Sequence, residues 1–161
     1  MGTYFNPNNE SFTKDRNYRI YVDKTGLLEF LNGVIGTSRN CIAVSHARRF
    51  GKSHAAGMID AYYSLGSSSS ALFDDTKIAE SPDYKKYMNK YNVIHLDISS
   101  VWDFHKEDLI ESIHERVCED FEKVYADGLN YKKDVYLLLK DIYDITGIPF
   151  VVIIDEWDCV I

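Results

Sequence analysis

The run Phe150-Val151-Val152-Ile153-Ile154 constrains this chain more than any other stretch. Gly147 stops the helical pattern before it, and Pro149 forces an extended approach. A strand apolar on both faces must be covered on both, as the central strand of a parallel sheet is. It ends abruptly in Asp155-Glu156-Trp157-Asp158. Two shorter runs, Cys41–Ser45 and Val93–Ile98, are bounded by polar turns and read as further buried strands. Between these runs lie helical patterns. A helix capped by Thr25 or Asp23 carries Leu27, Leu28, Leu31 and Val34 and ends near Gly33 or Gly36. A second starts at Lys52 and runs to about Ser64, with Ala55, Met58, Ile59 and Tyr62 on one face and Gly57 weakening it. A short one starts at Ser81-Pro82-Asp83, with Ser81 as cap and Pro82 at its first position. The longest spans Lys106 to about Tyr125, with Leu109, Ile113, Val117, Phe121 and Val124 on one stripe. A last one spans Val135 to Ile145. Residues 1–20 are polar and read as an extended arm. The order strand, helix, strand, helices, strand predicts an α/β fold, a parallel sheet flanked by helices, formed by residues 1–161 as one unit.

Composition narrows the class. The chain has 161 residues, 45% of them hydrophobic, enough for one core without disulfides or metals as staples. A formal charge of -7 argues against general nucleic-acid binding, which favours a basic surface. Cys41, Cys118 and Cys159 are widely spaced and suggest neither a disulfide framework nor a zinc knuckle. A reducing, cytoplasmic setting is the expectation. No apolar run approaches membrane-spanning length. The 12 tyrosines read as core and packing residues.

The stretch His46-Ala47-Arg48-Arg49-Phe50-Gly51-Lys52-Ser53 follows the first apolar run and precedes a helix. A nucleotide phosphate needs inward backbone N–H groups, a lysine for the β and γ oxygens and a hydroxyl for magnesium. Gly51, Lys52 and Ser53 are the residue types for those tasks, at the start of a helix whose N-terminus favours anions. His46 stands where a strict GxxxxGK[ST] pattern has glycine. Asp155 and Glu156 complete the constellation: an acid at the end of a buried strand holds magnesium, and its neighbour orients the attacking water. Arg48 and Arg49 could touch phosphates, meet a partner or pair with surface acids. The nucleotide-contacting set is thus Arg48, Arg49, Phe50, Gly51, Lys52, Ser53 and His54, with Ser53 and Asp155 for magnesium and Glu156 and Lys52 for catalysis. A rival reading gathers Asp97, Asp155 and Glu156 into a nuclease metal site, but no ExK spacing follows them, and Asp97 reads equally as a strand-end cap. His95, inside an apolar run, reads as a satisfied core histidine, and Tyr21 or Asp23 are guesses for a base contact.

These motifs resemble the AAA-ATPase-like family. Tyr21-Val22-Asp23-Lys24-Thr25 is similar to its opening YVDKT element. Residues 46–53 resemble its Walker A variant RPRRFGKS, with His46 and Ala47 in place of Arg and Pro. Ile154-Asp155-Glu156-Trp157-Asp158 resembles its Walker B element, with Trp157 for Tyr. The resemblance implies a P-loop NTPase of the additional-strand type, using ATP and Mg2+. It also makes the missing glycine at His46 a family habit. Family members continue well past Walker B, many into a PD-(D/E)XK nuclease-like domain. The chain is therefore expected to be an N-terminal part, truncated after Walker B, with a second protein chain or a missing C-terminal half covering the sheet edge. Nucleic acid would be a partner only through that further domain, and no membrane partner is implied. The function expected is ATP binding, with hydrolysis in the longer context. The alternatives are a nucleotide-binding or scaffold module without hydrolysis and a degenerate structural fragment.

Overall fold

A computed structural model describes residues 2–45, 50–103, 108–125, 129 and 134–160. The chain divides into two compact units, Asn8–Lys90 and Met1–Pro7 with Tyr91–Ile161.

The Asn8–Lys90 unit is helical. It contains α1 (Glu10–Arg16), α2 (Gly26–Val34), α3 (Lys52–Tyr63), α4 (Ser70–Phe73), a 3₁₀ turn (Lys77–Glu80) and α5 (Tyr84–Tyr87). Helix α1 lies in the stretch read as an extended arm. Phe12 is its one buried residue, so no periodic signal announces it, and burial against Phe73 (ring centroids 4.8 Å apart, stacked) holds it in place. Helix α3 is the spine. Ala56, Gly57, Met58, Asp60, Ala61, Tyr62 and Tyr63 are all buried, so it is covered on more than one face. Gly57, which weakened the helical reading, has a packing reason: a Cβ there would lie 3.0 Å from Ser11 Oγ of α1. Tyr62 O–H donates to the Tyr84 carbonyl (2.6 Å) and accepts from Asn32 Nδ2 (3.0 Å), while Tyr63 O–H donates to Asn32 Oδ1 (2.7 Å). These tyrosines are core residues with their polar ends satisfied, as a buried Tyr requires. Asn89, at φ 54°, closes the helix by donating from its backbone N–H to the Tyr62 carbonyl (2.7 Å) and from Nδ2 to the Ser64 carbonyl (3.0 Å).

Cys41–Ser45, expected to be a buried strand, is not one. It joins no ladder among the described residues, and Ile42 and Val44 are 38% and 56% exposed. An apolar run becomes a strand only where a neighbouring strand supplies N–H and C=O partners. The described residues of this unit offer none.

The second unit is built on two parallel strands, β1 (Asn92–Asp97) and β2 (Phe150–Asp155), paired in register from Asn92–Phe150 to Asp97–Asp155. Helices α6 (Ile98–Trp102), α7 (Leu109–Val124) and α8 (Val135–Thr146) form the crossover, and a 3₁₀ turn (Trp157–Val160) follows β2. The fold is therefore mixed α/β with a small parallel sheet and flanking helices. The larger sheet expected from sequence is not formed among the described residues, since β2 pairs with β1 alone there. Val152 and Ile154 are accordingly 50% and 54% exposed instead of buried on both faces.

The outer edge of β1 is covered by the chain's own start. Phe5 bridges antiparallel to Ile94, Asn6 N–H donates to the Val93 carbonyl (2.7 Å) and His95 N–H to the Tyr4 carbonyl (2.9 Å). Asn6 Oδ1 also accepts from Val93 N–H (2.7 Å). His95 is half-buried. Phe5 drives the arm in: it meets Phe121 edge-on at 4.8 Å within a core of Ile94, Val117, Cys118, Leu138 and Ile142. Asp120 fastens it, accepting from the N–H groups of Tyr4 (2.7 Å) and Phe5 (3.2 Å) and from Lys123 Nζ (2.8 Å). Gly2 passes so close to this carboxylate that a side chain there would collide with it.

Burial of Asp120 would raise its pKa, but the Lys123 ammonium and the two N–H donors outweigh burial and hold it below the usual carboxylate range. A depressed folded pKa contributes stability that is present above the unfolded value of about 3.9 and is lost as pH falls through the folded value. Asp120→Ala is therefore expected to lower unfolding free energy by about 2–3 kcal/mol at pH 7. The gap to wild type should narrow below about pH 4, as wild-type Asp120 itself becomes protonated. Urea melts at several pH values measure both effects, and a gap that stays constant in acid would contradict the assignment.

Candidate functional site

Two groups of residues carry the sequence-predicted chemistry, one in each unit. In the Asn8–Lys90 unit the group centres on the start of α3. Gly51 is its N-cap in the left-handed region (φ 80°), and Ala55 N–H donates to the Gly51 carbonyl (3.1 Å). That backbone conformation favours glycine, and it turns the chain directly into the helix at Lys52. Lys52 is half-buried, Ser53 is exposed, and both stand in the first turn of α3, where anions are favoured. Phe50 is exposed. His54 is exposed and its Nδ1 lies 2.7 Å from Asp15 Oδ1. His46, Ala47, Arg48 and Arg49 lie outside the described residues.

The segment Asp23-Lys24-Thr25 braces this loop. Asp23 Oδ1 accepts from the Thr25 N–H (2.8 Å) and hydroxyl (2.7 Å), and Oδ2 accepts from Lys77 N–H (2.9 Å). Thr25 is fully buried, and its Oγ1 accepts in turn from Ile78 N–H (3.1 Å). Burial would raise the Asp23 pKa, yet the N–H groups of Lys77 and Thr25 and the Thr25 hydroxyl prevail and lower it. Between these fixed residues, Lys24 reaches over and donates from Nζ to the Phe50 carbonyl (2.8 Å). Asp23 is thus a structural hub, its carboxylate engaged by three donors. Tyr21, the other guess, lies under the Arg16 guanidinium (4.6 Å) and edge-on to Phe12. In the sequence, Tyr21–Thr25 reads as a family signature, with Thr25 or Asp23 as a helix cap and Tyr21 or Asp23 as guesses for a base contact. Its role beside the loop had no local signal, because 26 positions separate Lys24 from Phe50.

In the other unit, the parallel register sets Asp97 beside Asp155 at the carboxyl ends of both strands. Asp97 caps α6, accepting from Ser99 Oγ (2.7 Å) and Ser100 N–H (3.3 Å), which is the strand-end role weighed against the nuclease reading. Asp155 Oδ1 accepts from the N–H of Glu156 (3.0 Å). Glu156 adopts φ 52°, a left-handed conformation that costs a non-glycine residue about 1–2 kcal/mol. Such strain gathers where function requires a particular side-chain direction.

The donor types suit a magnesium nucleotide. Hydroxyl and carboxylate oxygens are the hard ligands Mg2+ prefers, and it binds through one or two protein groups plus phosphates and water. Among the described residues there is no group of three or more His, Cys, Asp or Glu that would hold a metal by itself.

A small parallel sheet with helical crossovers, together with a glycine-cornered loop feeding a helix at Gly51-Lys52-Ser53, is the kind of structure that belongs with nucleotide-binding α/β proteins. The family comparison agrees: the model described as "Predicted AAA-ATPase" (AAA-ATPase-like) matches residues 9–161, and the chain belongs to that family. No curated protein and no solved structure matched it. Among the described residues no helix is long and apolar enough to cross a membrane.

Asp23→Ala removes the acceptor for three donors, two from Thr25 within the Lys24 segment and one, Lys77 N–H, that joins the segment to the 3₁₀ turn. It is expected to lower stability by about 1.5–3 kcal/mol. Denaturant unfolding of the variant measures it, and a midpoint unchanged from wild type would contradict the hub role.

Proposed function

We propose that this chain binds ATP with Mg2+ through the loop ending in Gly51-Lys52-Ser53, and that it hydrolyses the γ-phosphoryl bond. The observation that carries this is the turn at Gly51, which starts α3 at Lys52 in a chain of the AAA-ATPase-like family. In this reading the first-turn N–H groups of α3 and the Lys52 ammonium receive the phosphates. Phe50 and His54 stand at the edge of this set, and Arg48 and Arg49 are assigned to it from the sequence alone. Ser53 would hold the magnesium, which when bound offsets phosphate charge, and Asp155 is assigned as a further ligand from its sequence motif alone. Glu156 accepts a proton from, and so orients, the water that attacks in line, while Lys52 stabilises charge developing on the transferred phosphoryl group. The left-handed backbone at Glu156 supports a directed role for that side chain.

Thermal unfolding tests binding. At about 100-fold over its Kd, Mg-ATP should raise the wild-type Tm by about 5–10 °C, and Lys52→Ala should abolish the shift. No shift in wild type with ATP or GTP would end the nucleotide reading and leave a structural module. Hydrolysis is tested separately. Glu156→Gln should retain the ATP-induced shift and lower phosphate release by about 10²–10⁴-fold. Binding without measurable release from wild type would identify a nucleotide-dependent module in place of an ATPase.

A further inference from the structure

We infer that Lys24 is a positioning residue of the phosphate loop, one that orients the loop's peptide groups toward the nucleotide's β-phosphate; the inference rests on the nucleotide reading above. The geometry begins with the carbonyl of Phe50, which accepts from Lys24 Nζ at 2.8 Å. The described residues contain no cis peptide. In a planar trans peptide the C=O and N–H point to opposite sides. Holding the Phe50 carbonyl on the Lys24 side therefore turns the Gly51 N–H the other way. The Gly51 carbonyl lies 3.5 Å from the same ammonium and accepts from Ala55 N–H, so the Lys52 N–H is turned the same way by the same logic. Two successive N–H groups thereby face away from Lys24, at the end of a helix that favours anions.

The lysine does not reach this position by chance of a long side chain. Its neighbours on both sides are fixed, Asp23 by three donors and Thr25 by full burial and its bonds to Asp23 and Ile78. The fit is also close on the loop side. A methyl group on Gly51 would run into the Lys24 ammonium, so the glycine serves the lysine's approach as well as its own φ of 80°. A second cation beside Lys52 at the positive end of α3 is electrostatically unfavourable in isolation, and a phosphate bound there reverses the sign. Lys24 stands behind the loop peptides, so its effect reaches the ligand through them. That places its influence on whatever the loop N–H groups hold, common to ATP and ADP, and not on the γ-phosphate.

The test compares wild type, Lys24→Met, Lys24→Arg and Lys52→Ala by calorimetric titration with Mg-ATP and Mg-ADP. Lys24→Met should weaken ATP and ADP by the same factor, about tenfold. Lys24→Arg should recover to within about threefold of wild type, because it still donates to a carbonyl. Ligand-free Tm should differ from wild type by no more than about 2 °C, since one exposed hydrogen bond is lost. Unchanged affinities in Lys24→Met overturn the proposal. So does a loss confined to ATP, which would make Lys24 a γ-phosphate contact, and so does a Lys24→Arg variant as weak as Lys24→Met. Should wild type bind neither nucleotide, the nucleotide reading itself fails. Amide exchange over residues 50–55 of the ligand-free protein then decides the role of Lys24. About fivefold faster exchange in Lys24→Met supports the grip on the loop, and equal rates overturn it.

Discussion

The parallel pairing of β1 with β2 is the constraint on which the second unit depends. Parallel strands cannot be joined by a tight turn, so the chain between Asp97 and Phe150 must cross over through helices. The same pairing brings both carboxyl ends to one side of the sheet and sets Asp97 level with Asp155. Acids at that end are a consequence of strand direction. Which of them is available for chemistry is decided locally. Asp97 turns to the N-terminus of α6, and Asp155 is followed by a residue in the left-handed region that redirects the chain.

In each unit a carboxylate ties a distant segment through a backbone N–H that it accepts from. Asp120 holds the arm of Tyr4 and Phe5 against α7, and Asp23 holds the segment before α2 against the turn at Lys77. Both carboxyls are acidified in spite of burial, Asp120 by the Lys123 ammonium and the N–H groups of Tyr4 and Phe5, and Asp23 by the N–H groups of Lys77 and Thr25 and the Thr25 hydroxyl. An ionised carboxylate accepts more hydrogen bonds than a neutral side chain, which suits a position where several loops must be fixed without a ladder. The arm protects the outer edge of β1, while Asp23 anchors the residues on either side of Lys24.

Much of the architecture was legible in the chain itself. The stripe Ile113, Val117, Phe121 marks α7, Gly147 and Pro149 mark the end of α8 and the entry to β2, and Gly51-Lys52 marks the start of α3. These signals are local: periodicity, capping and φ preference act within a few residues. Cys41–Ser45 shows the limit of that method. Its apolar run has the pattern of a strand, but strand formation depends on a neighbour that no local pattern reports. Helix α1 fails in the opposite direction, since a single buried Phe12 leaves no period to read.

The sequence by itself determined the α/β character, the positions of α2, α3, α7 and α8 and the residue types of the proposed nucleotide site, because each rests on short-range rules. The family match over residues 9–161 rests on the same order of motifs. Only the tertiary structure decided that the first residues seal β1, that Asp23 and Asp120 act as hubs, and that Lys24 grips the loop at Phe50. The physical reason is separation along the chain. Hydrogen bonds between positions 26 to 116 apart follow from how helices and loops come together, and that geometry leaves no imprint on neighbouring residues.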